Sequence, residues 1–168
     1  MKTELKFGAA FAGALIVYVL IEHLLGFNTT RHDIGQYSRM LEWIFPILGT
    51  YYGIRQKRTD QFGVLTYGQG VRTGFLVALI LAALTALWAL LYLAAINPEF
   101  LDTLIRFERS NMAAAGAIEP EIAPTIDRLR WTYSLPVMPI FYMIAATAVG
   151  TLSALVFSWF LQKKAELV

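Results

Sequence analysis

The sequence predicts an all-α integral membrane protein: a four-helix bundle of spans, with an extracytoplasmic helical hairpin between spans three and four. Three observations predict it. Hydrophobic residues make up 57% of the 168-residue chain and charged residues only 15%, against about 45–50% and about 25% in soluble domains. Mean hydropathy is +0.55, so lipid is the expected solvent for most of the chain. The charges gather at the ends of long apolar runs, where spans meet water. The length allows a single domain, 1–168.

The first span is expected over about 6–27, where about 21 residues at about 1.5 Å each match a hydrocarbon core of about 30 Å. Lys2 and Lys6 precede the apolar run, and Glu22-His23 interrupts it where a signal cleavage region would fall, so it reads as an uncleaved span. Ala9 and Gly13 form a pair of small residues at i and i+4, which lets a neighbouring helix approach closely. Gly26-Phe27-Asn28-Thr29-Thr30 ends the helix, and its three-residue glycosylation match is common by chance.

The second span, about 38–54, is short, contains Glu42, and is predicted to kink at Pro46. Gly49 and Gly53 repeat the close-packing spacing. Trp43, Tyr51 and Tyr52 suit two interfaces. A buried helix of soluble type is the alternative. A basic loop with Arg55, Lys57, Arg58 and Arg72 follows. Within it Thr66-Tyr67-Gly68-Gln69-Gly70 reads as a glycine-rich surface turn. A potassium-filter strand would need a re-entrant loop and a ring of subunits, and the adjacent basic residues argue against it.

Span three, about 73–96, carries no charge. Asn97 is placed to cap a new helix, with Pro98 at its first position and Glu99 complementing the dipole. The hairpin 97–130 is expected to hold one helix through about Met112 and a short second one beginning near Pro124. Its six acids and four arginines bar it from lipid, yet it is too small to fold alone. Phe100, Leu104, Ile126 and Leu129 are therefore expected to face the bundle or membrane, with Glu108, Glu119 and Asp127 in water. Span four, about 136–162, tolerates Pro136 and Pro139 at its start and carries the small-residue stripe Ala146, Gly150, Ala154.

Orientation follows from the basic residues. With both termini cytoplasmic, Lys2, Lys6, Arg55, Lys57, Arg58, Arg72, Lys163 and Lys164 all fall inside. The expected location is a bacterial inner membrane.

Several short motifs follow one another along the chain: the opening Met1-Lys2-Thr3-Glu4-Leu5-Lys6-Phe7-Gly8, Glu22 with Gly26, Gly53-Ile-Arg-Gln-Lys-Arg58, Leu65-Thr-Tyr-Gly-Gln-Gly70, and Ile96-Asn-Pro-Glu-Phe100. Together they resemble domain-of-unknown-function family 4199, small membrane proteins common in Bacteroidetes and relatives. The resemblance covers nearly the whole chain. It implies four spans and a bacterial inner membrane, and no activity.

The candidate chemistry is a polar cluster near the outer ends of the spans: Glu22, His23, Arg39, Glu42, Tyr92 and Tyr142. A carboxylate in lipid marks an ion path, a ligand site or a paired structural contact. The structural alternative is an interfacial network in which Glu22 pairs with Arg39 or another arginine. With no cysteine and two histidines, the sequence supplies no metal, haem, nucleophile or phosphate-cradling set. No catalytic residue, cofactor or nucleic-acid partner is expected. The expected partners are the lipid bilayer and either further copies of the chain or a larger membrane complex. The expected role is a non-catalytic protein working through helix contacts, with a small oligomeric transporter or channel built on the polar cluster as the alternative.

Overall fold

A computed structural model describes residues 2–135 and 137–163. All regular structure in them is helical: α1 (Lys2–Leu24), α2 (His32–Ser38), a 3-10 segment (Arg39–Trp43), α3 (Ile44–Asp60), α4 (Tyr67–Leu91) running on through a π-helical turn (Tyr92–Ile96), α5 (Phe100–Ala114), α6 (Glu119–Thr132) and α7 (Val137–Leu161). Pro136 and Lys164, expected at the start and beyond the end of the last span, lie outside the described residues.

Three helical stretches are long and apolar enough to cross a membrane: Lys2–Leu24, Tyr67–Ile96 and Val137–Leu161. The second expected span differs. Its helix α3 is displaced along the chain, ending at Asp60 and not near Ile54, and at 17 residues it does not reach the length and hydropathy of the other three by itself. Arg55, Lys57 and Arg58 are consequently not in a loop. They ride the last turns of α3, where the negative end of the helix dipole favours cations, and Arg72 lies in the second turn of α4.

Proline at 46 also acts differently from a kink in mid-span. It sits in the first turn of α3, behind the 3-10 segment. Proline offers no N–H to the carbonyl four residues back and its ring crowds that carbonyl. The turn before it accordingly tightens, and the Ile44 N–H bonds to the Leu41 and Glu42 carbonyls.

Helix α4 is the centre of the bundle, packing along α1, α3 and α7, while α3 packs on α1 and α7. Small residues make these approaches possible. A Cβ on Gly74 of α4 would meet the Ala154 methyl of α7 at 2.5 Å, and one on Gly53 of α3 would meet Val77 at 2.7 Å. Gly49 faces Phe11, and Gly150 faces Ala78. Ala146, Gly150 and Ala154 all lie on the buried face of α7. Gly13 makes no such approach within the chain: nothing lies within 4 Å of a Cβ built there. The buried face of α1 is Glu4, Gly8, Ala12, Leu15 and Glu22, and Gly13 stands about 100° round the helix from Ala12. Gly8, against Ile80 at 2.7 Å, makes the close approach instead.

One end of the bundle is tied by charge and backbone. Lys57 pairs with Glu4 at 3.6 Å, Thr3 donates to Asp60 at 2.7 Å, and Leu65 and Lys163 exchange two backbone hydrogen bonds of 2.9 Å. Thr66 caps α4: its hydroxyl accepts from the Gln69 N–H at 3.3 Å while the Gln69 side chain accepts from the Thr66 N–H at 3.0 Å. The segment expected as a glycine-rich surface turn is thus a helix cap followed by the first turn of α4.

The hairpin α5–α6 lies at the other end. Phe100, Leu104, Ile122 and Ile126 are buried, Leu129 is half-buried, and Glu119 and Asp127 are exposed. Glu108, expected in water, is half-buried. Helix α6 begins at Glu119, five residues before Pro124, because Pro120 fits the first turn and Glu121 closes the cap by accepting from the Ile118 N–H at 3.1 Å.

Candidate functional site

The hairpin end of the bundle brings the last turn of α1, the 3-10 segment, the π turn and the start of α7 together. Helix α1 stops in a Schellman turn: Phe27 N–H bonds to the Glu22 carbonyl at 2.9 Å and Gly26 N–H to the His23 carbonyl at 3.0 Å. Gly26 takes φ +80°, a conformation glycine adopts without strain. The turn folds the chain back so that Asn28 sits beside Glu22.

Glu22 is 1% exposed. Its carboxylate accepts the Ser38 hydroxyl and lies 3.5 Å from the Asn28 amide nitrogen. The Tyr18 hydroxyl is 2.9 Å from both the carbonyl and the hydroxyl oxygen of Ser38. Arg39 is not its ion-pair partner. The Arg39 Nε donates to the Gly35 carbonyl at 3.1 Å, Nη1 donates to the Tyr133 hydroxyl at 3.5 Å, and the guanidinium lies 5.6 Å over the Phe100 ring. The expected pairing of Glu22 with an arginine is therefore replaced by neutral donors, because the 3-10 segment turns Ser38 and Arg39 toward different neighbours.

Glu42 accepts the Tyr142 hydroxyl across the bundle, and the Tyr142 ring stacks on Trp43 at 5.7 Å. His23 and Tyr92 form the third group: His23 Nδ1 is 3.0 Å from the Tyr92 hydroxyl. Asn97 completes it, its amide donating to that hydroxyl at 3.1 Å and to the Asn28 carbonyl at 2.8 Å. Asn97 therefore does not cap α5, whose N-cap is Glu99. It joins the turn after α1 to the end of α4. All six residues of the expected cluster lie at this end: five in these three hydrogen-bonded groups, and Arg39 apart from them on Gly35 and Tyr133.

Between these groups is a cavity of about 220 Å³. Arg39, Glu42, Trp88, Tyr92, Tyr133 and Tyr142 are among its walls, with Leu15, Val19, Leu93, Met138 and Phe141 completing an apolar interior.

Sequence reasoning missed Ser38, Asn97, Tyr133 and Trp88 as members of this end. It also missed His32, which is buried in α2 against Phe100 and Phe107 and 2.9 Å from the Thr103 hydroxyl, so that it fastens α2 to α5. Burial holds the His32 imidazole below its ordinary pKa, helped by the nearby Arg39 charge. His23 and His32 serve different partners and do not form one site.

Helices long and apolar enough to cross a membrane, packed through glycine contacts and closed at one end by paired polar side chains, are consistent with a membrane protein. The chain belongs to the DUF4199 family of proteins of unknown function, whose family model matches residues 6–163. No curated protein and no solved structure matches it.

Proposed function

We propose that the chain is a four-span protein of the bacterial inner membrane, with both termini cytoplasmic, that acts through helix contacts and not through catalysis. It works as an accessory subunit of a membrane complex or as a homo-oligomer. In this reading α3 with the 3-10 segment before it is the remaining span, and it reaches across by joining the other three in one bundle.

The observation that carries the reading is the division of the small residues. Gly8, Gly49, Gly53, Gly74 and Gly150 are occupied by neighbours inside the chain. Ala9 and Gly13 of α1 are exposed, and the space beside Gly13 is open. A helix of another chain can approach there as closely as α4 and α7 approach each other. Transport through the bundle has less support. Below the polar end the core is Val77, Ala78, Leu81, Ala82 and Ala154, each at 0% exposure, with no ionisable side chain among them.

The protein extracted in mild detergent should run above its 18.8 kDa monomer mass or bring a partner with it, and Gly13→Cys should cross-link to that neighbour. A monodisperse monomer without a partner contradicts the reading. Ion or solute flux in liposomes that is abolished by Glu22→Gln or Glu42→Gln would favour the transporter instead.

A further inference from the structure

We propose that the cavity at the hairpin end binds an acyl chain whose oxygen head group, a carboxylate or ester, sits against Arg39. The cavity holds about 220 Å³, room for the end of one chain and too little for a whole lipid. Its walls are largely apolar and aromatic, which suits methylene groups. The carboxylate on its wall, Glu42, is already taken by the Tyr142 hydroxyl.

What remains unfilled is donor capacity. Among the described residues no carboxylate lies within 4.0 Å of the Arg39 guanidinium. The indole N–H of Trp88 is buried without an acceptor. A buried donor left unmatched is costly, and an arginine matches carboxylate or ester oxygens by charge-assisted hydrogen bonds. The ligand is thus one that brings acceptor oxygens and an apolar tail. Its entry side is also marked. Phe141 lines the cavity and is 59% exposed, beside Ile140 at 55% and Leu135 at 47%, so the wall at the start of α7 opens on an apolar surface.

This inference rests on the membrane-embedded reading, and its test separates the two. The full chain carrying Trp131→Phe and Trp159→Phe, both at exposed positions, retains only Trp43 and Trp88, which line the cavity. It is reconstituted in phosphatidylcholine vesicles and titrated with dibrominated stearate, or with a dibrominated phospholipid at the same mole fraction. Failure to enter vesicles strikes the membrane reading. Saturable quenching is expected, with half-saturation raised about tenfold by Arg39→Gln and saturation lost in Ala89→Leu, which fills the cavity. Quenching by stearate alone assigns a free fatty acid; quenching by the phospholipid as well assigns a bilayer lipid. Arg39 is part-buried, so Arg39→Gln remains readable where Ala89→Leu lowers folding. Quenching that rises linearly with mole fraction, or saturation indifferent to Arg39→Gln, overturns the proposal.

Discussion

Asn97 is tied twice to Tyr92: its backbone N–H bonds to the Tyr92 carbonyl at 2.7 Å, and its side-chain amide donates to the Tyr92 hydroxyl at 3.1 Å. The first bond spans five residues and closes the π-helical turn that ends α4. The second holds that turn against the segment following α1, because the same amide reaches the Asn28 carbonyl at 2.8 Å. Replacing Asn97 with Ala leaves buried partners without a donor, which costs about 1–3 kcal/mol. Thermal unfolding in detergent should show a lower midpoint for Asn97→Ala, whereas Pro98→Ala, exposed one residue on, should change it little.

The Glu22–Ser38 contact predicts coupling between α1 and the segment before α3. In a double-mutant cycle of Glu22→Gln and Ser38→Ala, the coupling energy should fall in the range of about 0.5–3 kcal/mol expected for residues in contact. The same cycle with Glu22→Gln and Arg39→Gln should give a smaller value, since Glu22 and Arg39 do not pair. Equal coupling in both cycles would contradict the network described.

Gly74 and Gly13 make a matched contrast. A Cβ at Gly74 would meet Ala154 at 2.5 Å, while one at Gly13 meets nothing within 4 Å. Gly74→Val should destabilise by about 1–3 kcal/mol through overpacking. Gly13→Val should leave unfolding of the isolated chain unchanged and weaken only its association with a partner helix, which gel filtration in mild detergent reads separately.

His32 gives a pH dependence. Its folded pKa lies below the ordinary value of 6.5 because burial disfavours the charged ring. Above 6.5 the imidazole is neutral in both states and its contribution is intact. As pH falls below 6.5 the unfolded chain takes up a proton that the folded chain refuses, so stability drops until the lowered folded pKa is passed. The expected slope is at most about 1.4 kcal/mol per pH unit. The difference in unfolding free energy between wild type and His32→Gln, followed from pH 7 downward, checks it; a constant difference would refute it.

The long apolar helices were legible because span length and the absence of charge need no tertiary information. Thr73–Ile96 falls within the single helical stretch that crosses from Tyr67 to Ile96. The helix start at Tyr67 was equally legible and was missed, since Thr66 and Gln69 have capping-box spacing; the glycines at 68 and 70 drew the reading toward a turn. That Gly8 and not Gly13 packs within the chain was not legible, because a small-residue pair identifies a permissive surface without saying which face of the helix turns inward. The polar cluster at the hairpin end was legible as a set of ionisable residues in apolar context. Its pairings were not, because Glu42 and Tyr142 stand 100 residues apart and only packing decides which donor reaches which acceptor. Asn97 looked like a cap because caps are local; its long-range partner, Asn28, was hidden inside a chance sequon.

Topology tests the account most directly, since the membrane reading and the position of the hairpin both depend on it. The chain has no native cysteine, so single cysteines report unambiguously. Ser110 of α5 and Phe62 of the loop before α4 are both exposed and lie at opposite ends of the bundle. In intact spheroplasts an impermeant maleimide should label Ser110→Cys and spare Phe62→Cys until the membrane is lysed. Labelling of Phe62→Cys from outside, with Ser110→Cys protected until lysis, would contradict the orientation, and labelling of both before lysis would contradict the spans themselves.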